Sequence, residues 1–251
     1  MNYSIIVILF TSVLAIGVFA DLFQKKIQQF TKYIIPLSIA FVLALICTHI
    51  LPELFHEDDH SIGVYLLLGF VFQIILELLS KGIEHGHVHA PEKKNGITVI
   101  ISLMIGLSLH SYNEGMPLIA IDNHSNHIHE HSHSITNSTN SVYFIMILAH
   151  KLPIAAILMI FFLTAINKRW VRYSLLILFA ATAPLGAITG YFITQIDVHG
   201  IFNILLAIST GMLLHITTLL IFEDHHHQKD KWRNIALISG GILLGVMFYY
   251  F

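Results

Sequence analysis

Two short segments of the sequence carry residue types that bind metal ions, and both lie inside long apolar runs. The first reads His110-Ser111-Tyr112-Asn113-Glu114-Gly115, and the second reads His150-Lys151-Leu152-Pro153. In a helix, His110 and Glu114 are one turn apart and project from the same face. Imidazole nitrogens and carboxylate oxygens are ordinary zinc ligands. Because ionisable groups inside a membrane are costly and mark functional sites, we interpret His110, Glu114 and His150 as candidate metal ligands.

The apolar runs around these segments indicate a membrane protein. The chain has 251 residues, of which 55% are hydrophobic and 11% are charged, and its formal net charge is −2. Soluble domains carry about 25% charged residues. No basic patch indicates nucleic-acid binding, and the single cysteine, Cys47, excludes an intrachain disulfide. The 18 histidines outnumber the 13 lysines and arginines, an excess that favours metal handling.

A spanning helix needs about 20 mostly apolar residues, and eight runs meet this requirement. They lie at about 3–21, 33–54, 62–80, 96–118, 142–165, 172–195, 199–222 and 234–251. The predicted fold class is therefore an all-α membrane protein, with a single transmembrane domain over residues 1–251. The first run is interpreted as a retained helix rather than a signal peptide, because no positive charge precedes it.

The basic residues predict the topology. They follow the first, third, fifth and seventh runs, whereas the other three connections contain no Lys or Arg. By the positive-inside rule, the odd-numbered connections are cytoplasmic and both termini lie outside. Three His-rich segments, at about 84–95, 119–141 and 223–233, are predicted to be weak capture sites for metal ions. The longest of them, 119–141, is polar and predicted to be disordered.

The two candidate segments are predicted to lie at one depth in the membrane. His110 is about 12 Å from the outer end of the fourth run, and His150 is about 13 Å from the outer end of the fifth. Proline leaves the carbonyl four residues earlier without its helical partner, so Pro117 is expected to free the carbonyl of Asn113, beside Glu114. Such open backbone is tolerated where it lines a site. The alternative is a hydrogen-bonded polar cluster that only holds helices together.

Two further pairs of ionisable residues lie in the apolar runs. His49 and Glu53 are spaced i, i+4 near the outer end of the second run, where Pro52 interrupts the helical hydrogen bonds. They are interpreted either as an entrance that gathers cations or as a solvated helix end. Glu77 and His215 lie near the cytoplasmic ends of their runs, where they either form an exit path or are interfacial polar residues.

Together, these motifs resemble the ZIP family of metal transporters. Its fourth helix carries a His, then an acid four places on and then Gly, as in the segment from His110 to Gly115. The fifth helix of one branch opens with His-Lys. Further matches are Pro184-Leu185-Gly186, with a Pro-Leu-Gly of the family's sixth helix, and His85-Gly86-His87-Val88-His89, with a His-rich cytoplasmic loop.

The resemblance implies a ZIP-like bundle of eight helices and metal transport toward the cytosol, by an elevator-like movement of one helix group. It implies a site between helices 4 and 5, assisted by helix 2, with His110, Glu114 and His150 as ligands and Ser111 beside them. Many relatives place further ligands where this chain has Lys151 and Ile154. We therefore expect a single metal position, with Lys151 paired to Glu114 when no metal is bound.

The predicted function is transport of Zn²⁺ across the plasma membrane, with Fe²⁺, Mn²⁺ and Cd²⁺ as other candidate substrates. No cofactor is expected. The expected partners are divalent metal ions and the lipid bilayer, and a homodimer is left open. The alternative function is an intramembrane zinc-dependent hydrolase, which needs three ligands, an open fourth position and an acid that activates water. The predicted site residues are His110, Glu114, His150, Ser111, His49 and Glu53.

Overall fold

The computed structural model describes residues 3–56, 61–80, 96–118, 133–195, 200–223 and 231–249. Within these residues there is no strand, and the chain forms eight helices. They are α1 (Tyr3–Leu22), α2 (Gln24–Leu54), α3 (Ile62–Ser80), α4 (Gly96–Gly115), α5 (His133–Ala165), α6 (Arg169–Thr194), α7 (Ile201–Glu223) and α8 (Lys231–Tyr249). The predicted all-α architecture is confirmed, whereas the outside location of both termini stays a prediction.

Five of the helices, α1, α2, α5, α6 and α7, contain stretches long and apolar enough to cross a membrane. The apolar part of α3, Ile62–Leu78, is shorter, and α4 and α8 each carry polar residues at one end. Large apolar side chains such as Leu78 and Trp232 are exposed on the outside of the bundle. Since polar and ionisable side chains are buried inside it, the bundle is arranged for a lipid surrounding.

α6 and α8 each begin three residues before the predicted run, and two other helices begin nine residues before theirs. α2 starts at Gln24, and only Phe23 separates it from α1; the amide of Ile27 donates to the Phe23 carbonyl over 3.0 Å. The segment expected to connect the first two spans is thus helical, because Gln and Lys are good helix formers and neither Gly nor Pro interrupts them.

α5 starts at His133, inside the segment predicted to be disordered. The Ser, Thr and Asn residues there are weak helix formers, and nothing in the structure explains this extension. The rest of that His-rich segment, 119–132, lies outside the described residues, as does 84–95. The third segment, 223–233, is described only at its two ends, in α7 and α8.

Helix pairs pack at very close range where glycines face a neighbouring backbone. α3 packs along α7, where Gly69 lies against the main chain of Ile208 and Gly211 against that of Leu66. A Cβ at either glycine would collide with these main-chain atoms. α2 packs along α8, and α5 packs along α1 and α2.

The same kind of contact holds α6 against the part of α4 that carries the candidate ligands. Gly115 of α4 lies against the backbone of Ala183, and Gly186 of α6 lies against that of Tyr112. Gly186 is the glycine of the Pro-Leu-Gly motif. The motif therefore brings α6 into backbone contact with the last turns of α4.

α2 contains a π-helical turn, Ile46–Ile50, near its C-terminal end. The amide of Leu51 donates to the carbonyl of Ile46. Pro52 has no amide hydrogen to donate to Thr48, so the regular α-helical bond is missing at this point. The Thr48 hydroxyl donates to the carbonyl of Ala44 over 2.8 Å. Turns of this kind recur at functional sites, and this one contains His49.

Candidate metal centre

The candidate ligands meet in the interior of the bundle. α4 contributes His110 and Glu114, and α5 contributes His150. All three side chains are buried, and one ligand atom from each lies within 4.8 Å of the others. In the part of the chain that the structure describes, no other group of three or more His, Cys, Asp or Glu residues converges in this way.

Both imidazoles contact the same carboxylate oxygen. His150 Nε2 lies 2.8 Å from Glu114 Oε1, and His110 Nε2 contacts that same oxygen. The two rings are perpendicular, with centroids 6.2 Å apart. The two histidines therefore meet at one level of the bundle, whereas their common depth in the membrane stays a prediction. α4 packs on α6 and α3, whereas α5 packs on α1 and α2, so long side chains close the gap between them.

The other nitrogen of each imidazole is held by an oxygen acceptor. His110 Nδ1 lies 2.8 Å from Gln73 Oε1 of α3, and His150 Nδ1 lies 2.9 Å from the carbonyl of Met146. Because both partners accept, each Nδ1 carries a hydrogen, and each ring in its neutral form would present the lone pair of Nε2 to Glu114. Partners of this kind set the orientation and basicity of metal-binding histidines.

Lys151 lies against the other side of the carboxylate. Its Nζ donates to Ser111 Oγ over 2.6 Å and lies 3.5 Å from Glu114 Oε2. The ammonium is also 5.8 Å from the centroid of the Phe179 ring, and Ser111 Oγ lies 2.6 Å from Thr182 Oγ1 of α6. The expected pairing of Lys151 with Glu114 is present, and Ser111 supports the lysine.

The main chain at Glu114 is held by a tyrosine. The Tyr143 hydroxyl donates to the Glu114 carbonyl over 3.0 Å and lies 2.6 Å from Ser209 Oγ of α7. The expectation that Pro117 would leave the carbonyl of Asn113 unpaired is wrong, because that carbonyl accepts the amide of Met116 over 3.2 Å. The end of α4 thus closes with a bond between residues three apart. The carbonyl that a side chain does bind is that of Glu114, whose partner is Tyr143.

The residues predicted in α2 lie outside this cluster. His49 Nδ1 is 2.8 Å from the hydroxyl of Thr48, and neither His49 nor Glu53 belongs to the converging group. Their role at an entrance stays a prediction. Glu77 and His215 form a separate pair, in which Oε2 and Nε2 are 2.7 Å apart.

Four residues around the centre were not identified from the sequence, namely Gln73, Tyr143, Thr182 and Ser209. Gln73 could have been identified from the sequence, since a buried amide in an apolar span needs a polar partner. Hydroxyl-bearing side chains are common in membrane helices and bond their own backbone. Thr182 and Ser209 could therefore not be identified from the sequence. Their partners follow only from which helices are neighbours.

A helical bundle that buries two imidazoles around one carboxylate has the donor groups that can hold a metal ion. The family model of the ZIP zinc transporters matches residues 89–251, and the chain belongs to this family. The chain is similar to zinc transporter ZIP9-B of Xenopus laevis, with 27% identity over 198 residues that cover 70% of this chain and 59% of that relative.

A second relative, zinc transporter ZIP9 of Micropogonias undulatus, is 26% identical over 179 residues, which cover 67% of this chain and 53% of its own length. The chain therefore spans a little over half the length of these curated relatives. The resemblance read from the motifs is confirmed, and the family is one of transporters rather than enzymes.

Proposed function

We propose that this protein transports Zn²⁺, or a related divalent metal ion, through a single position formed by His110, Glu114 and His150. The observation that carries the proposal is the convergence of three ligand atoms within 4.8 Å in a buried cluster. Family membership and the names of the similar proteins, which are zinc transporters, support it.

The hydrogen bonds of the cluster indicate that it binds a cation. With both Nδ1 atoms donating, two imidazole lone pairs and one carboxylate oxygen point at each other. Three acceptor atoms repel one another unless positive charge lies between them. A divalent metal ion between the three atoms supplies that charge.

Ligand chemistry ranks the substrates. Two imidazole nitrogens and a carboxylate form an ordinary zinc ligand set with room for a fourth ligand. The same atoms bind Fe²⁺, Mn²⁺ and Cd²⁺, and affinity order alone does not set selectivity in cells. Zn²⁺ is the leading substrate, and the other three ions are the competitors to be tested.

Lys151 supports one metal position rather than two. Its ammonium occupies the Oε2 side of Glu114, 3.5 Å from that oxygen. A second divalent ion beside Glu114 would have to displace a buried cation. In this proposal Lys151 pairs with Glu114 in the empty protein and keeps only its hydrogen bond to Ser111 Oγ when the metal binds Glu114.

The hydrolase alternative is less well supported. A zinc hydrolase keeps one acid free to activate water, whereas Glu114 contacts both imidazoles and Lys151. One HExxH string does occur in the chain, at 56–60. Its first residue, His56, follows the end of α2, and 57–60 lie outside the described residues, so the string adds no argument for hydrolysis.

We further propose transport toward the cytosol, from a location in the plasma membrane, on the basis of the charge pattern and the resemblance. A homodimer also stays a prediction. Orientation can be tested by labelling engineered cysteines at each terminus in intact cells. Labelling of both termini from outside is expected, and labelling of either one only after permeabilisation would contradict the topology.

Uptake of ⁶⁵Zn²⁺ into proteoliposomes tests the transport site. His110→Ala, Glu114→Ala and His150→Ala should each reduce uptake at limiting zinc to near the background of empty vesicles. Asn113→Ala is the matched control, because the side chain of Asn113 bonds only the Leu109 carbonyl of its own helix in the contacts described and should leave uptake unchanged. Near-normal uptake by any two of the three ligand variants, with all proteins folded and inserted, would show that the site is wrongly assigned.

A further inference from the structure

One end of the bundle carries most of the positive charge that the structure describes. Among the described residues, every Lys and Arg except the buried Lys151 lies in the first three turns of α2 or around the start of α6 or α8. Two contacts join these helix starts. The Tyr173 hydroxyl of α6 donates to Asp21 Oδ2 in the last turn of α1 over 2.6 Å, and the Arg233 guanidinium of α8 lies 5.3 Å from the centroid of the Tyr33 ring of α2. The positive-inside rule predicts that this end faces the cytoplasm.

Both tryptophans of the chain lie at this end. Trp170 is the second residue of α6 and Trp232 is the second residue of α8, and they are 68% and 83% exposed. Each has a Lys and an Arg within two residues of it in the chain. Exposed indole rings beside cationic side chains are typical of the level of the lipid headgroups. These two helix starts are therefore candidates for contact with headgroups.

The start of α6 gathers three cations around the three-residue connection from α5. Arg172 Nη1 donates to the carbonyl of Ile166 over 3.2 Å, across that connection. The Arg169 guanidinium lies over the Tyr173 ring, 5.5 Å from its centroid, and its side chain is 72% exposed. Lys168, directly before Arg169, is exposed as well. Two of the three cations are thus open to a ligand, and the third is held beside them.

The negative charge near these cations does not balance them. Asp21 is the one carboxylate that pairs with them among the described residues, and its Oδ2 lies 4.0 Å from Arg169 Nη2. The same oxygen accepts the Tyr173 hydroxyl. Three cations and one carboxylate leave an excess of two positive charges. Guanidinium and ammonium groups in this arrangement suit a phosphate, which offers several oxygen acceptors.

An apolar stripe runs from these cations along the outside of α6. Four exposed apolar side chains lie on one side of the helix, at spacings of seven or eight residues: Trp170, Ile177, Leu185 and Phe192. The stripe is about 33 Å long at 1.5 Å per residue, close to the thickness of the hydrocarbon core of a bilayer. A ligand with an anionic head and long apolar chains would contact the cations and the stripe together.

We propose that Lys168, Arg169 and Arg172 bind the phosphate group of an anionic phospholipid, whose acyl chains lie along the stripe on α6. Trp170 lies at the boundary between the headgroup and the chains. Charge and polarity select this ligand, because a free phosphate has no apolar part and a zwitterionic lipid has no net charge. Since α6 is in backbone contact with α4, the bound lipid stabilises the helix that supports the ligand-carrying turns of the metal cluster.

Quenching of Trp170 fluorescence by brominated lipids tests the site. In the full-length chain with Trp232→Phe, Trp170 is the only tryptophan. The protein is reconstituted into phosphatidylcholine vesicles that contain a small fraction of either phosphatidylglycerol or phosphatidylcholine with brominated acyl chains. Brominated phosphatidylglycerol should reach half of its quenching at about one fifth of the mole fraction that brominated phosphatidylcholine requires, the effect of about one cation beside an anionic headgroup.

A pair of double variants links this preference to the cations of α6. Lys168→Gln combined with Arg169→Gln should abolish the preference, so that both lipids quench equally. Arg172 stays in place because its bond to the Ile166 carbonyl supports the connection. Lys25→Gln combined with Lys26→Gln is the matched control, because it removes the same charge from exposed side chains at the same end of the bundle. The control should keep the fivefold preference.

Three results would overturn the proposal. The first is equal quenching by both lipids in the parent chain, or a preference that survives in the variant of Lys168 and Arg169. The second is a preference that inorganic phosphate abolishes and chloride at the same ionic strength does not, which would show that the cations take a free anion. The third is an absence of quenching by either lipid, which would show that a second copy of the chain, rather than lipid, covers Trp170.

Discussion

Replacing Lys151 by methionine should tighten metal binding and destabilise the empty protein. Methionine keeps the length of the side chain and removes its charge. In the structure the ammonium lies 3.5 Å from Glu114 Oε2, and both groups are buried. At an effective dielectric constant near 20, two unit charges at this distance attract by about 5 kcal/mol. A metal ion that binds Glu114 must weaken this attraction and also tolerate the nearby ammonium.

The expected gain in affinity follows from that competition. Suppose that metal binding costs the unmodified chain a third of this attraction. The Lys151→Met variant, which lacks the attraction, does not incur that cost, so it should bind the metal more tightly by about 1.5 kcal/mol, or about tenfold in Kd. Repulsion between the ammonium and the metal adds to the effect with the same sign. The empty variant loses the partner of a buried carboxylate, so its thermal midpoint should fall, and added Zn²⁺ should raise that midpoint by more than in the unmodified chain.

Isothermal titration of the detergent-solubilised protein with buffered Zn²⁺, at fixed pH, measures the effect. Lys168→Met is the matched control, since Lys168 is exposed between α5 and α6 and lies outside the cluster. Binding to the His-rich segments is common to both proteins and cancels in the comparison. An unchanged or weaker affinity in Lys151→Met would refute the idea that Lys151 competes with the metal for Glu114.

Three further predictions concern the surroundings of the cluster. Tyr143→Phe leaves the Glu114 carbonyl without its side-chain donor and should cost about 1–3 kcal/mol of stability, seen as a lower thermal midpoint; an unchanged midpoint would contradict the assignment. Gly186→Ala places a Cβ against backbone and should destabilise by about 1–3 kcal/mol, whereas Gly240→Ala, whose Cβ would find only ordinary contact at 3.7 Å, should be neutral in the same thermal assay. Deleting 122–132 should raise the half-saturating zinc concentration and preserve the maximal uptake rate, and a loss of maximal rate in a correctly inserted protein would contradict a capture role.

The convergence of His110, Glu114 and His150 could be predicted from the sequence because each step rested on local geometry, whereas their role as ligands stays a proposal. His110 and Glu114 share a helix face at any packing, and the depth of His150 follows from counting residues to a helix end. The pairing of Lys151 with Glu114 follows from the cost of a lone charge in lipid. The hydrophobic runs likewise predicted eight helices, because the number of spans depends on length and polarity alone.

Features that depend on which helices are neighbours were out of reach. Gln73 holds His110 only because α3 packs beside α4, and nothing in the sequence pairs those two helices. Likewise, the Tyr143 hydroxyl of α5 meets Ser209 of α7 and the Glu114 carbonyl of α4 only because these three helices lie close together. The error at the Asn113 carbonyl has a different origin: proline removes one donor, but the chain replaced it with the amide one residue earlier, a local rearrangement that the proline rule does not include.

The wide turn at Ile46–Ile50 makes α2 sensitive to the number of residues that it contains. One additional residue in a helical turn rotates everything beyond it by about 100°. The orientation of the C-terminal end of α2, with Glu53, therefore depends on this turn and not only on the 22-residue helix before it. Removing a single residue from this turn would remove its extra width and rotate Glu53 to another face of the helix. Insertions and deletions in this turn should therefore be far more disruptive than substitutions, because a chain lacking one of these residues would direct the end of α2 differently although its composition is almost unchanged.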